Sequence, residues 1–174
     1  MAELERLADG GDPHAQYLVG KLYRNGPLLT PDWVNARYYF LRAAQQGSAP
    51  AQYALGKLYL SDDEEVRAPD EGLRWLKQAA QGGNHYAAYR LGKEYLNGDV
   101  VRRDAEKAVE WFTQSAEAGN QYAQYMLGKL YLTGQDVPRD QERGLVLCKS
   151  PHIVFCFRFG HSLTLPTASA APAH

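Results

Sequence analysis

Ala15-Gln16-Tyr17-Leu18-Val19-Gly20-Lys21-Leu22-Tyr23 recurs with small variations three more times in this 174-residue chain, as Ala51 to Tyr59, Ala87 to Tyr95 and Ala123 to Tyr131. The glycines within it, Gly20, Gly56, Gly92 and Gly128, stand 36 residues apart. A second series keeps the same step: Ala8, Ala44, Ala80 and Ala116, each followed three residues later by Gly11, Gly47, Gly83 and Gly119. Self-similarity at this period is the mark of a helical solenoid, whose units bury their apolar faces only by stacking on one another. Such an architecture predicts binding rather than chemistry.

Each unit divides into two antiparallel helices. Helix A opens at Asp12, Ser48, Asn84 or Asn120, residue types that accept hydrogen bonds from the unpaired amides of a first turn. Pro13 suits the first helical position, where its missing donor is harmless. At about 100° per residue, Ala15, Leu18, Val19, Leu22 and Tyr23 share one broad face and are the expected core, with Tyr17, Lys21 and Arg24 opposite. Gly26, Gly98 and Gly134 stand where a helix leaves through a left-handed residue, with Asp62 in that place in the second unit. Asp32, Asp70, Asp104 and Asp140 then suit the N-cap of helix B. Its aromatic positions are Tyr39-Phe40, Trp75-Leu76 and Trp111-Phe112, and it continues into the small pairs Ala43-Ala44, Ala79-Ala80 and Ser115-Ala116. Glycine inside a helix costs roughly 1 kcal/mol relative to alanine, so a Gly20-type residue in all four units predicts a crossing without room for a β-carbon.

The phrase Ala-x-Tyr-x-Leu-Gly-Lys-x-Tyr, the loop Gly-x-x-Val-x-x-Asp (Gly98, Val101, Asp104; Gly134, Val137, Asp140) and Trp-x-x-x-Ala-Ala-x-x-Gly (Trp75, Ala79, Ala80, Gly83) closely resemble Sel1-like repeats, relatives of the tetratricopeptide repeat. The resemblance covers about residues 1 to 149. It implies an all-α, right-handed superhelix of antiparallel helix pairs that acts as an adaptor for protein partners, and it brings no catalytic residues. The expected divisions are 1–11, the second half of a leading helix B; four repeats at 12–47, 48–83, 84–119 and an incomplete 120–149; and an irregular tail, 150–174. Because Leu4, Ala8 and Gly11 lie 36 residues before Phe40, Ala44 and Gly47, the chain is expected to begin in mid-unit. The repeat wording is also similar to arrays appended to bacterial mobilisation relaxases. An orphaned fragment of a larger bacterial protein, without activity of its own, is therefore the alternative expectation.

Composition fits a helical domain: 45% of residues are hydrophobic and the net charge is -1, which gives no overall electrostatic attraction to nucleic acid or an anionic membrane. The basic residues are scattered along the sequence. No apolar stretch approaches the ~18 residues of a membrane span, and the Met1-to-Arg6 start is acidic where a secretory signal is basic and apolar. A cytoplasmic location is the expectation. Cys148 and Cys156 lie at the irregular end, which leaves the array itself without cysteine and unlike the disulfide-bearing Sel1-like proteins for which β-lactamase activity has been proposed. Cys148, His152, Cys156 and His161 are suitable ligand types for zinc, but their spacing is unlike that of known structural sites; no metal and no cofactor are expected. A hydrolase would need a nucleophile and base on adjacent A helices, and those rows read Tyr, Lys and Leu, so no enzyme is expected.

The acidic run Asp62-Asp63-Glu64-Glu65 fits a solvated loop. The candidate binding surface is the outer stripe of helix A, where Tyr17, Tyr53, Tyr89 and Tyr125 recur with Lys21, Lys57, Lys93 and Lys129. Two readings of these tyrosines stand side by side: anchors for a peptide or helix of another protein, or filling for the seams between units. Gly20, Gly56, Gly92, Gly128, Ala44, Ala80 and Ala116 are assigned structural roles.

Overall fold

The computed structural model describes residues 2–26 and 30–148, and its regular elements are all α-helices. They are α1 (Ala2–Asp9), α2 (Pro13–Asn25), α3 (Trp33–Gln45), α4 (Ala49–Tyr59), α5 (Pro69–Gln81), α6 (His85–Asn97), α7 (Ala105–Glu117), α8 (Gln121–Thr133) and α9 (Gln141–Cys148). Each even-numbered helix holds one copy of the repeated phrase and is a helix A; each odd-numbered helix is a helix B. Every A helix packs most extensively on the B helix that follows it and next on the B helix before it. The apolar interior is accordingly a chain of clusters. One runs from Ala36 and Phe40 through Leu55 to Trp75, the next from Leu73 and Leu76 to Leu91, the next from Ala108 and Phe112 to Leu130. This is an all-α repeat solenoid.

The crossing of A on B is set by the mid-helix glycines. A Cβ on Gly20 would come within 2.6 Å of the Phe40 ring, on Gly56 within 2.8 Å of Leu76, on Gly92 within 2.6 Å of Phe112, and on Gly128 within 2.6 Å of Cys148 Sγ. Phe40, Leu76, Phe112 and Cys148 themselves stand 36 residues apart. Cys148 thus occupies, in the fourth repeat, the buried position held by Phe40, Leu76 and Phe112 in the others, which corrects the expectation that the array contains no cysteine. The small pairs Ala43-Ala44, Ala79-Ala80 and Ser115-Ala116 are buried where B meets the following A helix. After each pair the chain turns through Gly11, Gly47, Gly83 or Gly119, all with φ between 85° and 100°. The residue after each glycine donates its N–H five residues back, as from Asp12 to Leu7 O or Asn84 to Ala79 O. This is the Schellman closure, for which glycine is the least strained residue.

Capping follows the sequence with informative exceptions. Asp12, Asn84 and Asn120 accept from first-turn amides of α2, α6 and α8, and Asp32 and Asp104 do so for α3 and α7. Asp140 accepts from Arg143 N in the same manner. Ser48 makes no such bond. Asp70 is not an N-cap: that place belongs to Ala68, because the 36-residue register from Asp32 to Asp104 passes through position 68. Pro69 then opens α5, and Asp70 and Glu71 fall in its first turn, favourable for the helix dipole. Asp62 does not replace the exit glycine either. Positive φ occurs among the described residues only at glycine, so α4 ends early, after 11 residues rather than 13, with Leu60 at its C-cap.

The expected A-helix core is corrected in part. Ala15 and Val19 are buried, but Leu18, Leu22 and Tyr23 are only half-buried, while Gln16, not among the expected core residues, is buried. An A helix is gripped by B helices on two sides, so one apolar stripe cannot describe it. Gln16 Nε2 donates to Ala8 O, Gln52 to Ala44 O and Gln124 to Ala116 O. Each bond adds a second donor to a carbonyl at the end of the preceding B helix that already accepts from the turn glycine N–H, of Gly11, Gly47 or Gly119. Position 88, next in that series, is alanine, and there Gln114 on α7 supplies the bond to Ala80 O instead.

Candidate functional site

The four tyrosines of the repeated phrase lie in unequal surroundings. Tyr17 packs on Phe40, with ring centroids 6.0 Å apart, and Tyr89 on Phe112 at 5.8 Å. Tyr53 is half-buried and packs on the cluster that contains Leu73 and Leu91. Tyr125, on the last described A helix, is 37% exposed. Tyr17 and Tyr89 therefore pack on helix B of their own repeat and Tyr53 on a cluster shared by two repeats, and each is only half-buried. The row is extended by two residues absent from the periodic pattern. Tyr86 on α6 stacks on Tyr53 at 6.2 Å, and Tyr122 on α8 meets Tyr89 at 6.0 Å. Tyr86 is 50% and Tyr122 67% exposed. The corresponding positions in the first two repeats are His14 and Pro50, so no series flags them; only the approach of neighbouring A helices joins the pairs into a ladder across α4, α6 and α8.

The lysines are arranged beside these rings. Lys57 Nζ lies 4.5 Å from the Tyr53 ring centroid and Lys21 Nζ 5.6 Å from that of Tyr17, within cation–π range. Lys93 is half-buried and Lys129 exposed. Burial, then the charges of Arg24 and Arg90, hold the Lys57 ammonium below its ordinary pKa. Burial raises the Tyr53 hydroxyl, with Arg90 and Arg24 opposing, and burial raises that of Tyr89.

The basic residues are spread over both helix types, whereas the acids are concentrated off the A helices. Helices α2, α4, α6 and α8 carry Lys21, Arg24, Lys57, Arg90, Lys93 and Lys129 against a single acid, Glu94. The B helices and loops carry most of the acids. There Arg6, Arg42, Arg74, Lys107 and Arg143 each hold an acidic partner: Glu3, Asp9, Glu71, Asp104 and Asp140. Arg103 in the loop after α6 pairs with Asp136 in the loop after α8, tying consecutive repeats together. On the A helices the ion pair among the described residues is Arg90 with Glu94, 2.7 Å apart. That pair occupies positions held by Leu18 and Leu22, Ala54 and Leu58, and Met126 and Leu130 in the other repeats.

No group of His, Cys, Asp and Glu suited to a metal is gathered among the described residues. His152, Cys156 and His161 of the zinc-like spacing, with the rest of the 150–174 tail, lie outside the described residues. Asp62 to Glu65 form a turn whose Asp63 Oδ1 accepts from Glu65 N, and none of the four acids enters an ion pair among the described residues.

The Sel1 repeat family profile matches residues 13–48, 49–84, 85–120 and 121–149. Among solved structures, c5321, a protective antigen of uropathogenic Escherichia coli with an SLR fold, is 33% identical with a TM-score of 0.78, the match covering 84% of this chain and 31% of that one. A Sel1 repeat protein from Oxalobacter formigenes is 29% identical with a TM-score of 0.76, covering 84% and 60% respectively. The immunity protein PA5088 of Pseudomonas aeruginosa shares the fold, at 20% identity, a TM-score of 0.52 and coverage of 83% and 68%. The chain thus spans about a third of the length of the first relative and 60% of the second. No curated protein matches it at the sequence level. Sel1 repeat proteins generally mediate protein–protein interactions and are typically non-catalytic scaffolds. With helix pairs, crossing glycines and turn glycines all in one 36-residue phase, and the profile matching in four successive copies, this chain belongs to the Sel1 repeat family.

Proposed function

We propose that this chain is a non-catalytic scaffold that holds an extended peptide or a helix of another protein along the A-helix face, between Tyr17 and Tyr125. The observation that carries this reading is the aromatic ladder Tyr53–Tyr86 and Tyr89–Tyr122, whose outer members are left in water although their inner members are half-buried. A tyrosine fixed from behind presents a large contact area with little side-chain entropy left to lose, which is the property of an interface anchor. The proposal includes a cytoplasmic setting and a protein partner rather than nucleic acid, membrane or cofactor. In support, no described helix is long and apolar enough to cross a membrane, and the chain's net charge is -1.

Site-specific photo-crosslinking in cells tests this. A photoreactive phenylalanine analogue replacing Tyr86 or Tyr122 is expected to capture a discrete protein. The same analogue replacing Tyr38, a tyrosine 52% exposed on helix B α3, is expected not to capture it. Capture from Tyr38 but from neither A-helix site would move the binding surface to the B helices and sink the proposal.

A further inference from the structure

We infer that the segment recognised by the A-helix face is acidic: a peptide whose Asp and Glu side chains lie over Arg24, Lys57 and Arg90 while its apolar side chains lie against the tyrosine ladder. This deepens the proposed function and rests on it.

The ring contacts Tyr53–Tyr86 and Tyr89–Tyr122 each join residues 33 apart, so they identify which positions of successive A helices face one another. Arg24, Lys57 and Arg90 follow the same step of 33 across α2, α4 and α6. They form a diagonal of three cations directly beside the ladder. Consistent with that placement, the charges of Arg24 and Arg90 both act on the ammonium of Lys57.

Five B-helix cations hold acidic partners, whereas Lys21, Arg24, Lys57, Lys93 and Lys129 form no ion pair among the described residues. Arg37, Arg67, Lys77, Arg102 and Arg139 off the A helices are also without an ion pair among the described residues, but those helices and loops carry most of the acids, whereas the A helices carry only Glu94. Arg90 is partly neutralised by Glu94, whose side chain is only 6% exposed, so that carboxylate is directed inward and cannot serve Lys57. Placing three like charges together, one of them half-buried, opposes folding unless an anion joins them. A ligand carboxylate supplies that anion, gains from the low-dielectric surroundings of Lys57, and leaves the ring edges for apolar contact. In a chain with a net charge of -1, this concentration of positive charge selects by place rather than by overall attraction.

A phage-displayed library of random peptides, panned on the immobilised full-length protein, reads the preference directly. Selected peptides are expected to be enriched in Asp and Glu by roughly threefold over the input and to lose about tenfold in affinity when Arg24→Gln and Lys57→Gln are combined. Circular dichroism would verify that this variant keeps its helicity. Selected peptides with no acidic bias that nevertheless lose binding on Tyr86→Ala with Tyr122→Ala would overturn this inference and leave the binding face standing. Peptides insensitive to both pairs of substitutions would overturn both. Tighter binding of a labelled single-stranded oligothymidine than of the best acidic peptide would replace the acidic segment with nucleic acid.

Discussion

Gly92→Ala places a methyl group at the tightest point of the third repeat. The new Cβ would stand 2.6 Å from Cδ1 and Cε1 and 3.0 Å from Cγ of Phe112. Carbon–carbon contact is comfortable from about 3.5 Å, so ring or helix must withdraw by roughly 1 Å. Phe112 is fully buried and its ring has no free end to swing away. Overpacking of this kind costs about 1–3 kcal/mol, and the ring places it at the upper end. Alanine's better helix propensity returns about 1 kcal/mol, leaving a net loss of about 2 kcal/mol. For a chain of this size that corresponds to a fall in Tm of roughly 4–8 °C, measurable by circular dichroism on heating and in urea. Two companions isolate the cause. Phe112→Ala in the same chain should absorb the added methyl, giving a coupling above about 1 kcal/mol in the double-mutant cycle. Gly119→Ala, at φ +87° with open space around its would-be Cβ, should lose about 1 kcal/mol through backbone strain alone and show no coupling to Phe112. An unchanged or raised midpoint for Gly92→Ala would refute the close-crossing argument.

Three further outcomes are expected. Arg90→Met alone should destabilise by about 3 kcal/mol because it strands the buried Glu94 carboxylate, whereas Arg90→Met with Glu94→Leu should equal or exceed the wild type; a double variant as unstable as the single in urea unfolding would contradict this. Gln114→Ala should cost about 1 kcal/mol by removing the side-chain bond to Ala80 O, which then keeps only its backbone donors, and adding Ala88→Gln, which restores the glutamine of the other repeats, should recover it; chemical denaturation without recovery would show that the glutamine positions are not interchangeable. At alkaline pH, Tyr39, Tyr53, Tyr59 and Tyr89 have folded pKa values raised above the ordinary 10.0, chiefly by burial. Their contribution to stability is full below that value and is lost as pH rises from it through the folded pKa values. Lys57, lowered from 10.5, acts oppositely over the range between its folded pKa and 10.5. With four tyrosines against Lys57, stability should fall above about pH 10, and Tyr53→Phe should lessen the fall; tyrosinate absorbance titrated alongside unfolding would show whether ionisation and destabilisation coincide.

The sequence by itself determined the solenoid. A 36-residue phase held by Gly20, Gly56, Gly92 and Gly128, and again by Gly11, Gly47, Gly83 and Gly119, reports backbone demands: a crossing too close for a β-carbon and a left-handed turn. Such demands are local and repeat with the unit, so they can be read from the sequence. Cap positions were legible for the same reason where the residue kept phase, although Ser48 makes no side-chain bond, and the reading failed at Asp70, which lies two positions out of phase. Only the tertiary structure decided which A-helix residues form the candidate surface. Tyr17, Tyr53 and Tyr89 were visible as a series, but whether they face packed neighbours or the solvent depends on the next helix, and the answer is partly both. Tyr86 and Tyr122 occur in two repeats, and Arg24, Lys57 and Arg90 never share a position within the repeat. They meet because each A helix is offset against its neighbour, so contacts run along a step of 33 rather than the sequence period of 36. Periodicity finds what every unit repeats; an asymmetric binding surface is made of the residues that the units do not share.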